Sequence, residues 1–280
     1  MKIKFFCPRW GSENIRWDNF LRDVKEAGYA GIEWFPFSEN VSYPYVLNLL
    51  HELGLQFCIV MTVTETHDNF EHYLQLLESR LLELCSIRND NIGPLFITAQ
   101  TGREYFTPDQ VEQCIECCTN VSDQTGVRIN HETHRNKWAY AAHITLPFLL
   151  RHPDLRLTFD VSHWFCVSES YLEDQQMAVE NAIAHTHHIH ARIGHTQGPQ
   201  VYEPSSPESS KALQEHLKIW DKWIAKQLEK GLPYCFITPE FGPPPYMVFA
   251  NRNGTAQQEQ WRLNLWMKNF LDKRYESLLL

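Results

Sequence analysis

VRINHE (127–132), LRLTFD (155–160), HHIHAR (187–192) and YCFITPE (234–240) are four strand-like segments, and each delivers one metal-type donor. The donors are Glu132, Asp160, His190 and Glu240, spaced 28, 30 and 50 residues apart, about what one strand plus one helix takes up. Four oxygen or imidazole donors at the carboxyl ends of successive strands are what a (β/α)₈ barrel needs to hold one divalent cation over its mouth. One such residue would mean little; four in register point to a metalloenzyme.

The rest of the chain agrees with a barrel. Four more strand-like runs precede these: KIKFFC (2–7), YAGIEWF (29–35), LQFCIVMTV (55–63) and GPLFITAQ (93–100). Amphipathic stretches lie between the strands. IRWDNFLRDVKEAG and YPYVLNLLHELG end in Gly28 and Gly54, natural helix stops. Thr107 and Pro108 stand as N-cap and first helical residue of TPDQVEQCIECCTNVSDQTG. NFEHYLQLLESRLLELCSI, KALQEHLKIWDKWIAKQLEKG and QQEQWRLNLWMKNFLDKRY supply three further helices. Alternation of this kind implies a parallel sheet, and eight units imply closure. A doubly wound open sheet would carry a glycine-rich phosphate turn after its first strand; CPRWGS (7–12) is not one. The expected fold is a single (β/α)₈ TIM barrel, one domain over residues 1–280. The Pro-, Gly- and Ser-rich stretch HTQGPQVYEPSSPESS (195–210) follows the seventh strand and belongs on the mouth side.

Composition excludes several classes. The net charge is −9 and the 25 basic residues are scattered, so no nucleic-acid surface is expected. No apolar run approaches the length of a membrane span. The apolar stretch of MKIKFFCPRW is too short for a signal peptide and is broken at Pro8. The eight cysteines lack a disulfide-scaffold pattern and read as reduced thiols in a cytoplasmic protein. CIECC (114–118) puts Cys114, Cys117 and Cys118 on one helical face, but structural zinc wants a second donor pair, so packing against the barrel is expected.

Each donor has a bland alternative. Glu132 could be a solvent-facing carboxylate; its apolar approach and symmetric partners weigh against that. Period two puts Asn130, Glu132 and His134 on one face. Asp160 could be a helix N-cap, and His163 follows it in DVSHW on the loop. Glu240, between Pro239 and three later prolines, could be a strand-end carboxylate bonded to backbone amides. In HTHHIHARIGH (185–195), His188, His190 and Arg192 share one face, and Ile189, Ala191 and Ile193 the other. Trp10 and Arg9 in RWGS, and Trp34 after Glu33, are candidate pocket walls, since aromatic faces stack on sugars; Trp is equally a core residue.

With GYAGIE, HETHR, DVSHW, HIHAR and TPEFGPPPYM in this order, the chain resembles the sugar phosphate isomerase/epimerase superfamily, the xylose isomerase-like TIM barrels that also include endonuclease IV. HIHARIGHTQGPQV followed by PSSPE resembles a bacterial subgroup of isomerases without an assigned substrate. The resemblance implies one divalent metal on Glu132, Asp160, His190 and Glu240, with His190 rather than His188 as the ligand. It implies Glu132 and Glu240 as the acid/base pair and His163 as a substrate-binding residue. One departure stands out: where the ketose 3-epimerase branch carries a further glutamate, this chain has Trp138. His134, Arg135 and Arg192 instead add basic groups that could bind a carboxylate, a phosphate or an oxyanion; His188 and Trp10 complete the expected substrate contacts.

Three carboxylates and an imidazole suit Mn²⁺, Mg²⁺ or Co²⁺, with Zn²⁺ also compatible. The expected activity is isomerisation or epimerisation of a sugar, sugar phosphate or polyol through an enediolate. A lyase or dehydratase acting on a keto-sugar or keto-inositol is the alternative, motivated by Trp138 with His134 and Arg135. A non-catalytic sugar-binding protein has no need of four converging donors. The expected partner is a small carbohydrate, with no nucleic acid and no membrane; a homodimer or homotetramer is compatible with such a barrel.

Overall fold

The computed structural model describes residues 1–248 and 254–279. Eight parallel strands close into a barrel in chain order: β1 (Lys2–Pro8), β2 (Gly31–Trp34), β3 (Gln56–Thr62), β4 (Phe96–Gln100), β5 (Arg128–Glu132), β6 (Leu157–Phe159), β7 (Thr186–His190) and β8 (Tyr234–Thr238). Closure is made by Lys2 to Phe5 of β1 pairing with Tyr234 to Ile237 of β8. Every strand lies within a run anticipated from the sequence except for Pro8, one residue past the first run, and Thr186, one residue upstream of the seventh.

The outer layer holds α1 (Trp17–Glu26), α2 (Tyr43–Leu53), α3 (Phe70–Cys85), α4 (Pro108–Thr125), α5 (Ala142–Arg151), α6 (Val161–Ser168), α7 (Gln176–His185), α8 (Ser210–Glu229) and α9 (Ala256–Leu279). Local chemistry sets their ends. Thr107 and Gln110 form a reciprocal capping box at α4, and Gly54 ends α2 in the left-handed conformation. Helices α5, α6 and α7 were not singled out by sequence: α5 carries Pro147 in its interior, which reads as a break, and α6 is only eight residues long.

The barrel interior is filled in layers, as such barrels require. Phe6, Phe96 and Phe236 pack at the amino-terminal end. Above them Thr98, Thr158 and Thr238 surround the His188 ring. Glu33, Glu132 and His190 form the top layer. Strict alternation would put His187 outside, but the register between β6 and β7 shifts at Leu157/Thr158. A bulge of this kind re-aims a side chain, and His187 packs inside against Phe96 and near Asn130 Nδ2 at 3.1 Å.

Cys114 and Cys118 are buried and Cys117 half-buried on α4, and all eight cysteines are free. Burial pushes the Cys114 and Cys117 thiols up to about 12, so they are inert packing groups, as expected. No helix among the described residues is long and apolar enough to cross a membrane.

Candidate metal centre and its cavity

The four expected donors converge. One ligand atom from each of Glu132, Asp160, His190 and Glu240 lies within 4.8 Å of the others, and all four residues are buried. Glu132 ends β5, His190 ends β7, Asp160 follows β6 directly, and Glu240 stands two residues past β8. His190 Nδ1 is 3.1 Å from Glu240 Oε2 and 3.5 Å from Glu132 Oε1. Yet Glu132 Oε1, His190 Nδ1 and Glu240 Oε2 complete no hydrogen bond. Buried polar atoms are normally satisfied, so three unsatisfied donors facing one point are what a cation would complete. The residues therefore fit a divalent ion.

Asp160 has two duties. Its Oδ1 accepts from Ser162 N at 2.9 Å and caps α6, so the N-cap reading also holds. Its Oδ2 pairs with the Arg192 guanidinium. An ion at the centre would share Asp160 with Arg192.

A fourth carboxylate completes the centre. Glu33, at the end of β2, is 2% exposed and lies 3.0 Å from His190 Nε2. The sequence places Glu33 at a strand end, but nothing near it in the chain signals its partner 157 residues away. Its contact fixes the imidazole so that Nδ1 faces the centre and Nε2 carries the hydrogen. Gln100 does similar work for Glu132, donating from Nε2 to Oε2 at 2.9 Å.

Burial and neighbours drive the two glutamates apart. Burial, with Glu240 and Asp160 nearby, raises Glu132 to about 6 against the pull of His190. Burial also acts to raise Glu240, but His190 and Arg192 outweigh it and hold that carboxyl at about 2. His190 loses to burial but gains more from Glu240, Glu33 and Glu132, and stands well above its usual value. Paired groups pushed in opposite directions are a common mark of acid/base sites.

Above the centre lies a cavity of about 240 Å³, at the small end for ligand sites. Trp10, His134, Arg192 and Tyr246 are among its walls. Trp10 and Tyr246 meet edge to face at 5.4 Å. Gly242 makes room for this pair, since a Cβ there would come within 2.4 Å of the Trp10 ring.

The remaining expected residues fall in different places. Arg192 lines the cavity but is already paired with Asp160. His163 is fully buried beneath it, 2.8 Å from Arg192 and packed at a tilt against the His134 ring at 3.9 Å. Burial pushes His134 down to about 3 and His163 well below its usual value, so both are neutral. Arg135 stacks on the Tyr246 ring at 4.9 Å instead of lining the cavity. His188 sits one layer down, 2.9 Å from Thr238 Oγ1, and supports His190 from below. Arg9 and Trp34 are not pocket walls. Arg9 pairs with Glu39 at 2.7 Å under the Trp17 ring, and Trp34 packs on Trp17 at 5.2 Å in the outer core. Trp138 is 1% exposed, its ring against Phe148 and its Nε1 donating to Thr101 Oγ1 at 3.0 Å, so it does not face the cavity.

No protein-family model matches the chain, and no curated protein matches it. Solved structures do. The probable 3-DHS dehydratase AsbF of Bacillus anthracis aligns over 97% of this chain and 99% of its own, with 17% identity and a TM-score of 0.62. The chain has the xylose isomerase-like barrel fold. D-psicose 3-epimerase from Clostridium cellulolyticum H10, solved with D-tagatose, aligns over 96% of this chain and 98% of its own, at 14% identity and TM-score 0.58. The IOLI protein, solved with a bound zinc atom, covers 98% of this chain and 99% of its own, at 12% identity and TM-score 0.63.

Proposed function

We propose that this protein is a divalent-metal-dependent enzyme that moves a proton on a carbon next to a carbonyl of a small carbohydrate, as an isomerase or epimerase. The observation that carries the reading is the set of three unsatisfied buried donor atoms, on Glu132, His190 and Glu240, gathered with Asp160 within 4.8 Å. These four residues would hold the ion, and Mn²⁺, Mg²⁺, Co²⁺ or Zn²⁺ suits the donor set. When bound, a divalent ion supplies Lewis-acid polarisation of a substrate carbonyl and its neighbouring hydroxyl, which acidifies the C–H beside it. Glu132 and Glu240 approach from β5 and β8, three strands apart around the mouth, so one can remove the proton and the other return it. The neutral His134 contacts substrate oxygens, and the Trp10–Tyr246 pair covers the sugar face.

A lyase expelling a β-leaving group from a keto-sugar or keto-inositol is the second reading. It is favoured by Trp138, whose buried ring leaves the loop after β5 without the additional carboxylate of ketose 3-epimerases. The free cysteines accord with a reducing cytoplasm. The test is incubation of metal-loaded protein with candidate ketoses in D₂O. Deuterium wash-in with the carbon skeleton and hydroxyls intact supports isomerisation or epimerisation. Release of water or an alcohol supports the lyase. No exchange with any ketose, together with unchanged sugar affinity on Glu240→Gln, would overturn both in favour of a binding protein.

A further inference from the structure

The mouth holds one buried cation that the proposed chemistry does not use. Lys137 is 5% exposed, and it makes no ion pair with a carboxylate among the described residues; Glu132 and Glu104 act on it only at longer range. Its one side-chain hydrogen bond goes to Thr62 Oγ1 at 2.6 Å. Thr62 and its neighbour Gln100 both line the cavity above the metal centre. The ammonium thus stands one hydroxyl away from the cavity on its β3–β4 side.

This placement is built. Asn136 takes the left-handed backbone with φ of 67°, and Lys137 N bonds back to His134 O at 3.1 Å. Trp138 N bonds to Thr101 O at 3.2 Å while its ring is buried. The turn therefore throws Lys137 across the ends of β4 and β3. An ammonium taken out of water with no carboxylate in contact is unfavourable, and burial together with the nearby Arg103 guanidinium pushes Lys137 down to about 8 against the pull of Glu132 and Glu104. Of the other cations nearby, Arg192 is committed to Asp160, Arg135 to the Tyr246 ring, and Arg103 bonds Val63 O at 3.3 Å.

We propose that Lys137 and Thr62 form a subsite for a substrate carboxylate, so that the substrate is a keto sugar acid in preference to a neutral sugar. Lys137 donates to the Thr62 oxygen, the Thr62 hydroxyl proton is held only by a long 3.4 Å contact to Gln100 O from which it can rotate to a ligand, and the ammonium charge sits directly behind it. One ammonium and one hydroxyl match a monoanionic carboxylate. A phosphate dianion calls for a cluster of backbone amides or a guanidinium, and the guanidinium nearest this wall, Arg103, bonds Val63 O and is not among the residues lining the cavity. Lys137 is a specificity-determining residue here and takes no part in the proton transfer. The inference rests on the proposed function in taking this cavity as the substrate site.

The test is calorimetric titration of manganese-loaded and metal-free protein with 2-keto-D-gluconate, D-fructose and D-fructose 6-phosphate. Wild type should bind the keto acid at least about tenfold more tightly than fructose, and more tightly than the phosphate. Lys137→Met should bring the keto acid and fructose to within about threefold of each other, Lys137→Arg should keep most of the preference, and Thr62→Val should lose part of it. Because Lys137→Met removes a buried charge with no carboxylate in contact, it should melt no lower than wild type. An equal affinity for acid and neutral sugar in wild type, binding of neither, a preference that survives Lys137→Met, or tighter binding of the phosphate would each overturn the subsite. Failure of wild type to take up manganese would overturn the metal reading instead, and the metal-free titrations still decide the subsite.

Discussion

Replacing Glu33 by Gln should weaken divalent-metal binding by about 10- to 100-fold, or about 1.4 to 2.7 kcal/mol, without unfolding the barrel. The size follows from what the carboxylate holds. His190 is fully buried, and its Nε2 has Glu33 as its acceptor, with Glu33 oxygens at 3.0 and 3.1 Å. An imidazole presenting Nδ1 to an ion must carry its hydrogen on Nε2, and an anionic acceptor there makes Nδ1 the better ligand. The amide of the variant keeps the volume and an acceptor oxygen, but it removes the charge and can turn its NH₂ towards the ring. The loss stays bounded because Glu132, Asp160 and Glu240 are positioned by their own strands, and Glu132 is steadied separately by Gln100. Manganese affinity by competition with a chelator, alongside thermal melts, measures both parts. An affinity within threefold of wild type would refute the assignment of Glu33 as the group that orients His190.

Glu132→Gln and Glu240→Gln should each slow deuterium exchange into a turned-over ketose by about 10²- to 10⁴-fold, read at manganese concentrations that saturate each variant; exchange at the wild-type rate in either would remove that residue from the proton path. Trp138→Glu should destabilise by about 3–5 kcal/mol and install no new activity, because the buried ring packs on Phe148 beneath the loop; urea melts decide it, and a folded variant with gained epimerase activity would contradict the packing. His216 donates from Nδ1 to Ala212 O at 2.8 Å and accepts at Nε2 from Gly194 N at 3.3 Å. Burial pushes it from 6.5 down to about 4, so the unfolded chain takes up this proton first. The neutral ring's contribution is complete above pH 6.5 and is lost as pH falls towards 4, to a total of about 3 kcal/mol. Urea melts over this range should fall less steeply for His216→Leu than for wild type, and parallel slopes would show that His216 is not the group responsible.

The barrel was legible because its causes are local and repeated. Short apolar runs such as LRLTFD, separated by helix-length stretches with their own caps, specify eight strand–helix units, and a parallel sheet of eight buries its edges by closing. The quartet of donors was legible for the same reason: Glu132, Asp160, His190 and Glu240 each stand at a strand's carboxyl end, where closure brings them together. Where local signals conflict, the reading stops short: Pro147 hides α5. The register shift that turns His187 inward is set by pairing between strands, which periodicity within one strand does not report.

Sequence by itself thus determined the fold and the four donors that meet at the mouth. Tertiary structure decided what those side chains are free to do. Arg192 has the right residue type for substrate binding, but Asp160 occupies it. Arg135 is turned to Tyr246, Trp138 is folded beneath its loop, and His188 is a layer too deep. Glu33 and Lys137 matter because of partners brought over by the closed sheet, His190 for one and Thr62 for the other. The physical reason is that strand spacing fixes where a donor arrives, while its charge and hydrogen bonds depend on neighbours from distant strands in a water-poor interior.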